Sequence, residues 1–482
     1  MDLAVAEFEK LAKEEPRDRT ARDRLIQVYY NTNRKEAAAK VLEAELRKNP
    51  KDVGALLQRS KLYVDSGKYT EAGNDLAMVL RFEPDSAEAH YLLAKVYEKT
   101  GAALRQRQEL GEAVRLAPAF LPGRLDLSEL FLEAQAPKSA LEILRGALPS
   151  QKDSLPVIIQ RNWANLALND TGEFQKGLSQ ALAMSKAPEV LLQEAQLKVL
   201  QHDYPGARKT LEEVLRQRPE DARAMYLMVR SYLIQKQPPF VAVAKICEHA
   251  GQHPESASVQ YFLAKLLMAN GDRLGARRSF EDAKTADPSF IRADEGLAQL
   301  DLAEGKLDEA RKRLLGRLAS RSTILTEVSI RSLLVVVEEQ AGNYAAAMQH
   351  CRRILELDGD NLKALNDLAF MLVDSSNLPD EALKLAERAK EIGPENPDVA
   401  DTLGWVLYRK GLYTAALTQF EFAASRKDAG ALPKCHLALV YFKLGKGQQG
   451  QRALEAALKL DPGLAQSKVY REATAEAKKS ES

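Results

Sequence analysis

Proline stands at positions 16, 50, 84 and 118, three successive intervals of 34 residues, and the interval returns from Pro254 to Pro288 and, one residue longer, from Pro219 to Pro254. Proline stops a helix because it lacks an N–H and clashes with the preceding turn, so a fixed spacing of stops marks a unit of fixed length. Inside one unit the pattern is legible. From Val53 the chain is apolar-periodic to Tyr63, breaks at Ser66-Gly67, resumes through Tyr69, Ala72, Leu76 and Val79, and stops at Pro84. Two short helices and a turn make the unit. A 482-residue chain would ordinarily be divided into several domains, and a stack of such units is the main exception.

Aligned three residues after each stop, the chain reads as thirteen units that begin at Arg19, Val53, Ala87, Leu121, Ile158, Pro188, Ala222, Ala257, Ile291, Val328, Leu362, Pro397 and Ala431. Position 8 is small in most of them (Ser60, Ala94, Ser128, Ala195, Ala264, Ala298, Ala369, Gly404, Ala438), and so is position 20 (Ala38, Ala72, Ala140, Ala207, Ala276, Ala310, Ala347, Ala416). Small residues at two fixed places let paired helices approach closely. Position 15 is often Gly or Asn, for example Gly67, Gly101, Gly172 and Gly271, where the first helix ends in a left-handed cap.

Spacing, small residues, turn and proline recur together, and in this the chain resembles the tetratricopeptide repeat family over residues 19 to 464. The resemblance implies an all-α fold, a right-handed superhelical solenoid of helix-turn-helix repeats with the first helix of each pair lining the concave side. Residues 1–18 (Leu3, Val5, Ala6, Phe8 and Leu11 before Pro16) read as the second helix of an incomplete first repeat, and residues 465–482 as a capping helix and frayed tail. Irregular joints are expected near 150–187 and 316–327, where the spacing stretches.

Chemistry is hard to find. There is no glycine-rich phosphate loop, nucleophile elbow or HExxH pair, and a helix-only pattern offers no parallel sheet for a cofactor, so no enzyme, catalytic residue or cofactor is expected. His249 and His253 are four apart with Cys247 nearby, a spacing that could suit a soft metal. His253 precedes Pro254 at a helix end, however, where an imidazole serves orphan carbonyls, and no metal site is expected. Cys247, Cys351 and Cys435 are far apart and form neither a disulfide framework nor a zinc motif. With 69 Lys and Arg against 68 Asp and Glu, the net charge of +1 disfavours nucleic acid as a partner. Apolar runs such as Leu333 to Val337 fall far short of the roughly 20 residues of a membrane helix.

What remains is a surface. The resemblance places positions 2, 5, 9, 12 and 13 of each first helix in the groove. They hold Tyr91 and Lys95, then Tyr226 and Arg230, then Tyr261 and Lys265, an aromatic and basic ladder that suits an extended chain with acidic or polar groups. A more apolar ladder follows at Phe370, Trp405, Tyr408 and Phe442. A phase error of one residue rotates each side chain by about 100°, which would turn groove residues into packing residues. Position 5 carries no Lys, so the pattern that clamps acidic chaperone tails is not supported.

The block from Ala364 to Tyr408, with Pro394-Glu395-Asn396-Pro397 at its centre, resembles the final repeats of long bacterial members of the family, including lipoproteins and scaffolds of exopolysaccharide or exosortase-type export. That implies a non-enzymatic scaffold for a peptide, partner helix or polymer within a bacterial envelope or secretion assembly. Met1-Asp2-Leu3 runs on without a basic start and apolar core, so a periplasmic or envelope location requires a removed signal and the alternative is cytoplasmic. The rival readings are a regulatory arm of a larger enzyme, such as a glycosyltransferase or protease, and a cytoplasmic assembly factor.

Overall fold

The computed structural model describes residues 7, 8, 10, 19–32, 34–319, 323–426 and 429–481. The half-repeat expected within residues 1–18 and the turn residue Asn33 lie almost wholly outside these. Among the described residues there are twenty-seven α-helices and one short 3-10 segment, Pro462–Gln466.

Contacts group the chain into two compact units, one reaching Gly271 and the other starting at Asp272. The first holds seven successive helix pairs, from Arg19–Asn31 with Lys35–Lys48 to Ala222–Ile234 with Pro239–Gln252, followed by Ala257–Ala269. The second opens with Arg273–Ala286, continues through five pairs that end in Ala431–Lys443 and Gly447–Leu460, and finishes with Lys468–Glu481. Neither unit has a central ball of core. Each helix pair buries its apolar stripe against the next pair, as in Leu25, Leu42, Leu56, Leu76 and Leu92, which lie in one continuous cluster over three pairs.

The small residues do the work their spacing implies. All eight alanines at position 20, from Ala38 to Ala416, are fully buried, and at position 8 Ser60, Ala195, Ala264, Ala298, Ala369 and Ala438 are too. The turn is equally regular. Gly67, Gly101, Gly271, Gly305, Gly342, Gly411 and Gly445 adopt positive φ, and Gln135, Asn169, His202, Lys236 and Asn377 do the same without glycine. Asp52, Ser86, Asp221 and Asn361 cap the first helices that follow them by accepting a backbone N–H three residues on.

Two unit boundaries differ from the sequence alignment. The fifth first helix is Leu155–Ala167, so its unit starts at Leu155 rather than Ile158, and the left-handed turn is Asn169, with Gly172 inside the helix Thr171–Met184. Asparagine tolerates the left-handed region, and a glycine three residues later drew the register forward. This unit also inverts the usual sizes. Position 8 is Asn162 and position 20 is Phe174, both fully buried, and Gly177 gives way because a β-carbon there would collide with the Asn162 amide. Asn162 and Gln193, both fully buried, join their amides at 3.0 Å, and Gln193 Nε2 donates to the Ile159 carbonyl at 2.8 Å. The joint near 150–187 is thus a buried polar link between successive first helices. At the other joint, Ile324–Gln340 begins one turn ahead of Val328, capped by Thr323, whose hydroxyl accepts from the Thr326 N–H; residues 320–322 lie outside the described set.

The second unit contains a buried ionic cluster. Asp294 and Asp301, seven apart on one face of Ile291–Ala303, are 3% and 2% exposed. Lys284 and Arg277 reach them from the preceding helix at 2.7 and 2.8 Å, and Arg317 and Arg313 from the following helix at 3.5 and 3.3 Å. Three successive helices are tied by charge. No described helix is long and apolar enough to cross a membrane.

Candidate functional site

The first unit shows which positions face inward. Asp23, Gln27 and Tyr30 of Arg19–Asn31, Gly54, Leu57 and Lys61 of Val53–Asp65, and Glu88 of the next first helix line one recess together. These hold positions 5, 9 and 12, then 2, 5 and 9, then 2 of their units, and Ile26, Gln58 and Leu62 at positions 8, 6 and 10 line the same recess.

Carried along the unit, that register places Tyr91, Tyr226 and Tyr261 at position 5, and Lys95, Arg230 and Lys265 at position 9. Their environments differ. Tyr91 is half-buried, edge-on to Phe120 at 4.9 Å between ring centroids, with the Lys95 ammonium 5.6 Å from its ring. Lys95 is committed to Asp126 and Glu98, each at 2.8 Å. Burial opposes its charge, but these two carboxylates prevail and raise its pKa. Burial, with the Asp126 charge, pushes the Tyr91 phenol up to about 12.

Tyr226, by contrast, is 63% exposed. Arg230 and Lys265 are exposed as well, and among the described residues neither is engaged in an ion pair. Tyr261 is half-buried. Leu233 and Ile234, at positions 12 and 13, add exposed apolar surface on the same helix as Tyr226. Crowding on the groove side raises the Glu129 carboxyl, and Glu133 and Asp126 add repulsion, while Arg223 and Lys95 pull it down. Arg223 belongs to Ala222–Ile234 and Glu129 to Leu121–Glu133, three units earlier.

With the fifth unit starting at Leu155, its position 9 is Trp163, half-buried in the series Lys61, Lys95, Glu129, Trp163, Gln196, Arg230, Lys265. The alignment from Ile158 put Leu166 there and passed over the tryptophan. The signal that finds it is Asn169, which can serve as the left-handed turn.

The second ladder is different from the expectation. Trp405, Tyr408 and Phe442 are 3%, 5% and 6% exposed, and Phe370 is half-buried against the same cluster, so they are packing residues in this structure and not an open groove surface. Trp405 stacks on Tyr408 with centroids 5.4 Å apart and on His436 at 4.6 Å. The imidazole of His436, buried to 1%, places Nδ1 3.0 Å from both Asp401 carboxylate oxygens. The helix Lys468–Glu481 joins the same cluster, with Ala473 fully buried in it and Val469, Tyr470 and Ala477 packed against it.

Among the described residues no group of three or more His, Cys, Asp or Glu is placed to hold a metal ion. His249 is engaged otherwise, with Nε2 2.8 Å from the Pro219 carbonyl, and burial lowers its pKa although that contact raises it. Cys247 is exposed, Cys351 and Cys435 buried. Burial pushes both buried thiols up to about 12, far from a reactive thiolate.

Stacked helix pairs with a side-chain-lined inner face and two buried small positions per unit define a helical-repeat protein. The chain belongs to the tetratricopeptide repeat family. Models described as tetratricopeptide repeat match residues 2–53, 192–239, 295–362, 339–406 and 434–464, and one described as TPR repeat matches 60–101. Together they fall on more than half of the chain. A TPR repeat-containing protein of Pseudomonas aeruginosa is 32% identical over 81 residues, 17% of this chain and 13% of that one. Tetratricopeptide repeat protein 21A of Mus musculus is 24% identical over 219 residues, 44% of this chain and 16% of that one. The chain therefore aligns with a small part of each relative's length. Among solved structures, the APC/C hetero-tetramer Cut9-Hcn1 aligns over 99% of this chain and 92% of its own at 17% identity with a TM-score of 0.43. Yeast Tom70 aligns over 95% and 94% at 14% identity with a TM-score of 0.38.

Proposed function

We propose that the chain is a non-enzymatic scaffold whose first unit holds an extended, acidic segment of a partner protein along its inner face. One observation carries this reading: Tyr226 stands open to solvent at an inner position, with Arg230 and Lys265 exposed at inner positions beside it and no ion pair on either cation among the described residues. An exposed tyrosine with unneutralised cations offers what interfaces concentrate, an aromatic anchor and a charge that steers an acidic partner. The exposed apolar pair Leu233 and Ile234 extends the surface along the same helix, and Trp163 holds the matching position of the fifth repeat. Lys95, held by Asp126 and Glu98, is a poorer ligand for such a chain and serves chiefly to fix Tyr91.

The assembly served is, on this reading, a bacterial envelope or secretion system, supported by the likeness of the Ala364 to Tyr408 block to bacterial members of the family. An array of 12-residue peptides graded in Asp and Glu content tests the groove. Retention by the wild-type chain rises with acidic content, and Arg230→Glu with Lys265→Glu abolishes that dependence. Equal retention by the folded double variant rules the groove assignment out.

A further inference from the structure

The fifth repeat departs from its neighbours at two positions other than the inner ones. Position 7 is leucine in most units, as at Leu25, Leu127, Leu263 and Leu403, and position 11 is aromatic or leucine in most, as at Tyr29, Tyr97, Phe131 and Leu372. With its unit starting at Leu155, the fifth repeat holds Arg161 and Asn165 there. Charged residues at these positions elsewhere have a partner. Arg59 meets Asp75 at 2.7 Å, Glu194 meets Lys198 at 2.8 Å, Asp301 meets Arg277 at 2.8 Å and Glu338 meets Arg311 at 2.6 Å. Among the described residues the side chains of Arg161 and Asn165 have no polar partner, although Arg161 is half-buried and Asn165 only 8% exposed.

What they face is a recess left by a shortened helix. Pro137–Arg145 has nine residues, against fourteen in the second helices Lys35–Lys48, Tyr69–Phe82 and Thr171–Met184. Residues 146–154 follow it as a loop, pinned by Gln151, whose Nε2 donates to the Ala119 carbonyl at 2.8 Å. The result is a cavity of about 580 Å³, a size typical of small-molecule sites. Arg145 from the end of the short helix, Lys152 from the loop, and Arg161 line it together with Asn165, and Leu141, Leu144, Val157 and Leu168 give it an apolar wall. Its two carboxylates are engaged elsewhere. Asp170 accepts from the Glu173 N–H at 3.1 Å as the cap of Thr171–Met184, and Glu173 Oε1 lies 3.6 Å from Lys176 Nζ. Three cations therefore share one recess with no ion pair to any of them among the described residues. Like charges gathered without a counter-charge oppose folding, and so does a buried amide left unpaired; a bound anion relieves both.

We infer that this recess binds a small organic phosphate monoester, its dianion among Arg145, Lys152 and Arg161 and its ester body on the leucines. Guanidiniums grip phosphate through paired N–H donors, and a dianion answers three cations better than a single carboxylate does. The Asn165 amide offers a neutral donor to the same group. The recess shares no residue with the surface around Tyr226, so either can fail without the other.

Calorimetric titration of the full chain with phenyl phosphate, inorganic phosphate and benzyl alcohol is the test. Phenyl phosphate binds about tenfold more tightly than inorganic phosphate, because its ring buries apolar surface that the bare ion lacks, and benzyl alcohol does not bind. Arg161→Leu, which installs the residue most other repeats hold, weakens phenyl phosphate about tenfold or more. No binding of phenyl phosphate by the wild-type chain at millimolar concentration, or equal binding by the folded variant, overturns the inference. Equal affinities for phenyl phosphate and inorganic phosphate overturn the assignment of an ester. Should Arg161→Leu not fold, Arg145→Ala with Lys152→Ala, both at exposed positions, takes its place, and an affinity unchanged from wild type overturns the inference in the same way.

Discussion

A β-carbon built on Gly404 would lie 2.7 Å from Cδ1 and Cε1 of Phe420, whose ring is fully buried between the helices Pro397–Arg409 and Tyr413–Ser425. Most other units put alanine or serine at position 8, and here the glycine answers the size of the facing ring. Gly404→Ala therefore overpacks the pair and costs about 1–3 kcal/mol, read as a lower urea midpoint. Phe420→Leu with Gly404→Ala recovers part of that loss, because the two side chains share one space.

The ionic cluster on Ile291–Ala303 offers a second test. Asp301 is 2% exposed and takes Arg277 at 2.8 Å and Arg313 at 3.3 Å. Asp301→Ala removes the carboxylate the two guanidiniums share, leaving Arg277 with Glu304 at 3.0 Å and Arg313 with Glu281 and Asp294 at 3.8 and 3.9 Å, and the expected loss is about 1.5–3 kcal/mol in thermal or urea unfolding. A variant within 0.5 kcal/mol, about the size of an ordinary surface change, would show that solvent already screens the pair.

Thiol chemistry separates the cysteines. Cys247 is exposed while Cys351 and Cys435 are buried and held as neutral thiols, so a disulfide reagent at pH 8 titrates one thiol in the native chain and three in denaturant. Both buried thiols are raised from 9.0 to about 12, which means that the folded state holds their protons more tightly. Their contribution is complete below pH 9 and fades as pH rises from 9 towards 12. Cys351→Ala with Cys435→Ala flattens the stability profile over that window.

On the inner face of the first unit, Tyr226→Ala combined with Tyr261→Ala weakens peptide retention, and Trp163→Ala weakens it further if the fifth repeat faces the groove as its register places it. Each anchor is worth about 1–2 kcal/mol, or roughly 5- to 30-fold in affinity. Circular dichroism confirms that the variants fold, and retention equal to wild type refutes the assignment.

At the turn of the fifth unit, Asn169 has a φ of 59°. Asn169→Val forces a β-branched residue into the left-handed region and costs about 1–2 kcal/mol, whereas Asn169→Gly is neutral or stabilising. Gly172→Ala, inside Thr171–Met184, is tolerated, since its β-carbon meets nothing closer than 3.8 Å, and the contrast fixes the register of this repeat.

Much of the fold was legible because it is local. A proline every 34 residues, alanines such as Ala72 and Ala276 at one fixed place, and a glycine such as Gly67 at another each act within one helix pair, and a period repeated along the chain compounds their signal. Register failed at Ile158 for an equally local reason, since Asn169 replaces the expected glycine; at Val328 it held, with Gly342 as the left-handed turn and Ala347 buried, and Ile324–Gln340 only gains a turn at its start. One shifted unit was enough to hide Trp163.

The sequence by itself determined the helix-turn-helix units, their spacing and which helix faces are apolar, since these follow from backbone sterics and from patterns a few residues long. It could not decide what lies on those faces. Tyr226 and Trp405 occupy equivalent ladders in the sequence, yet one is open and the other is buried with Tyr408 and His436 stacked on its ring. That difference depends on which side chains of neighbouring repeats come to rest on a ring, and such packing is written in tertiary contacts such as Trp405 with His436 and His436 with Asp401.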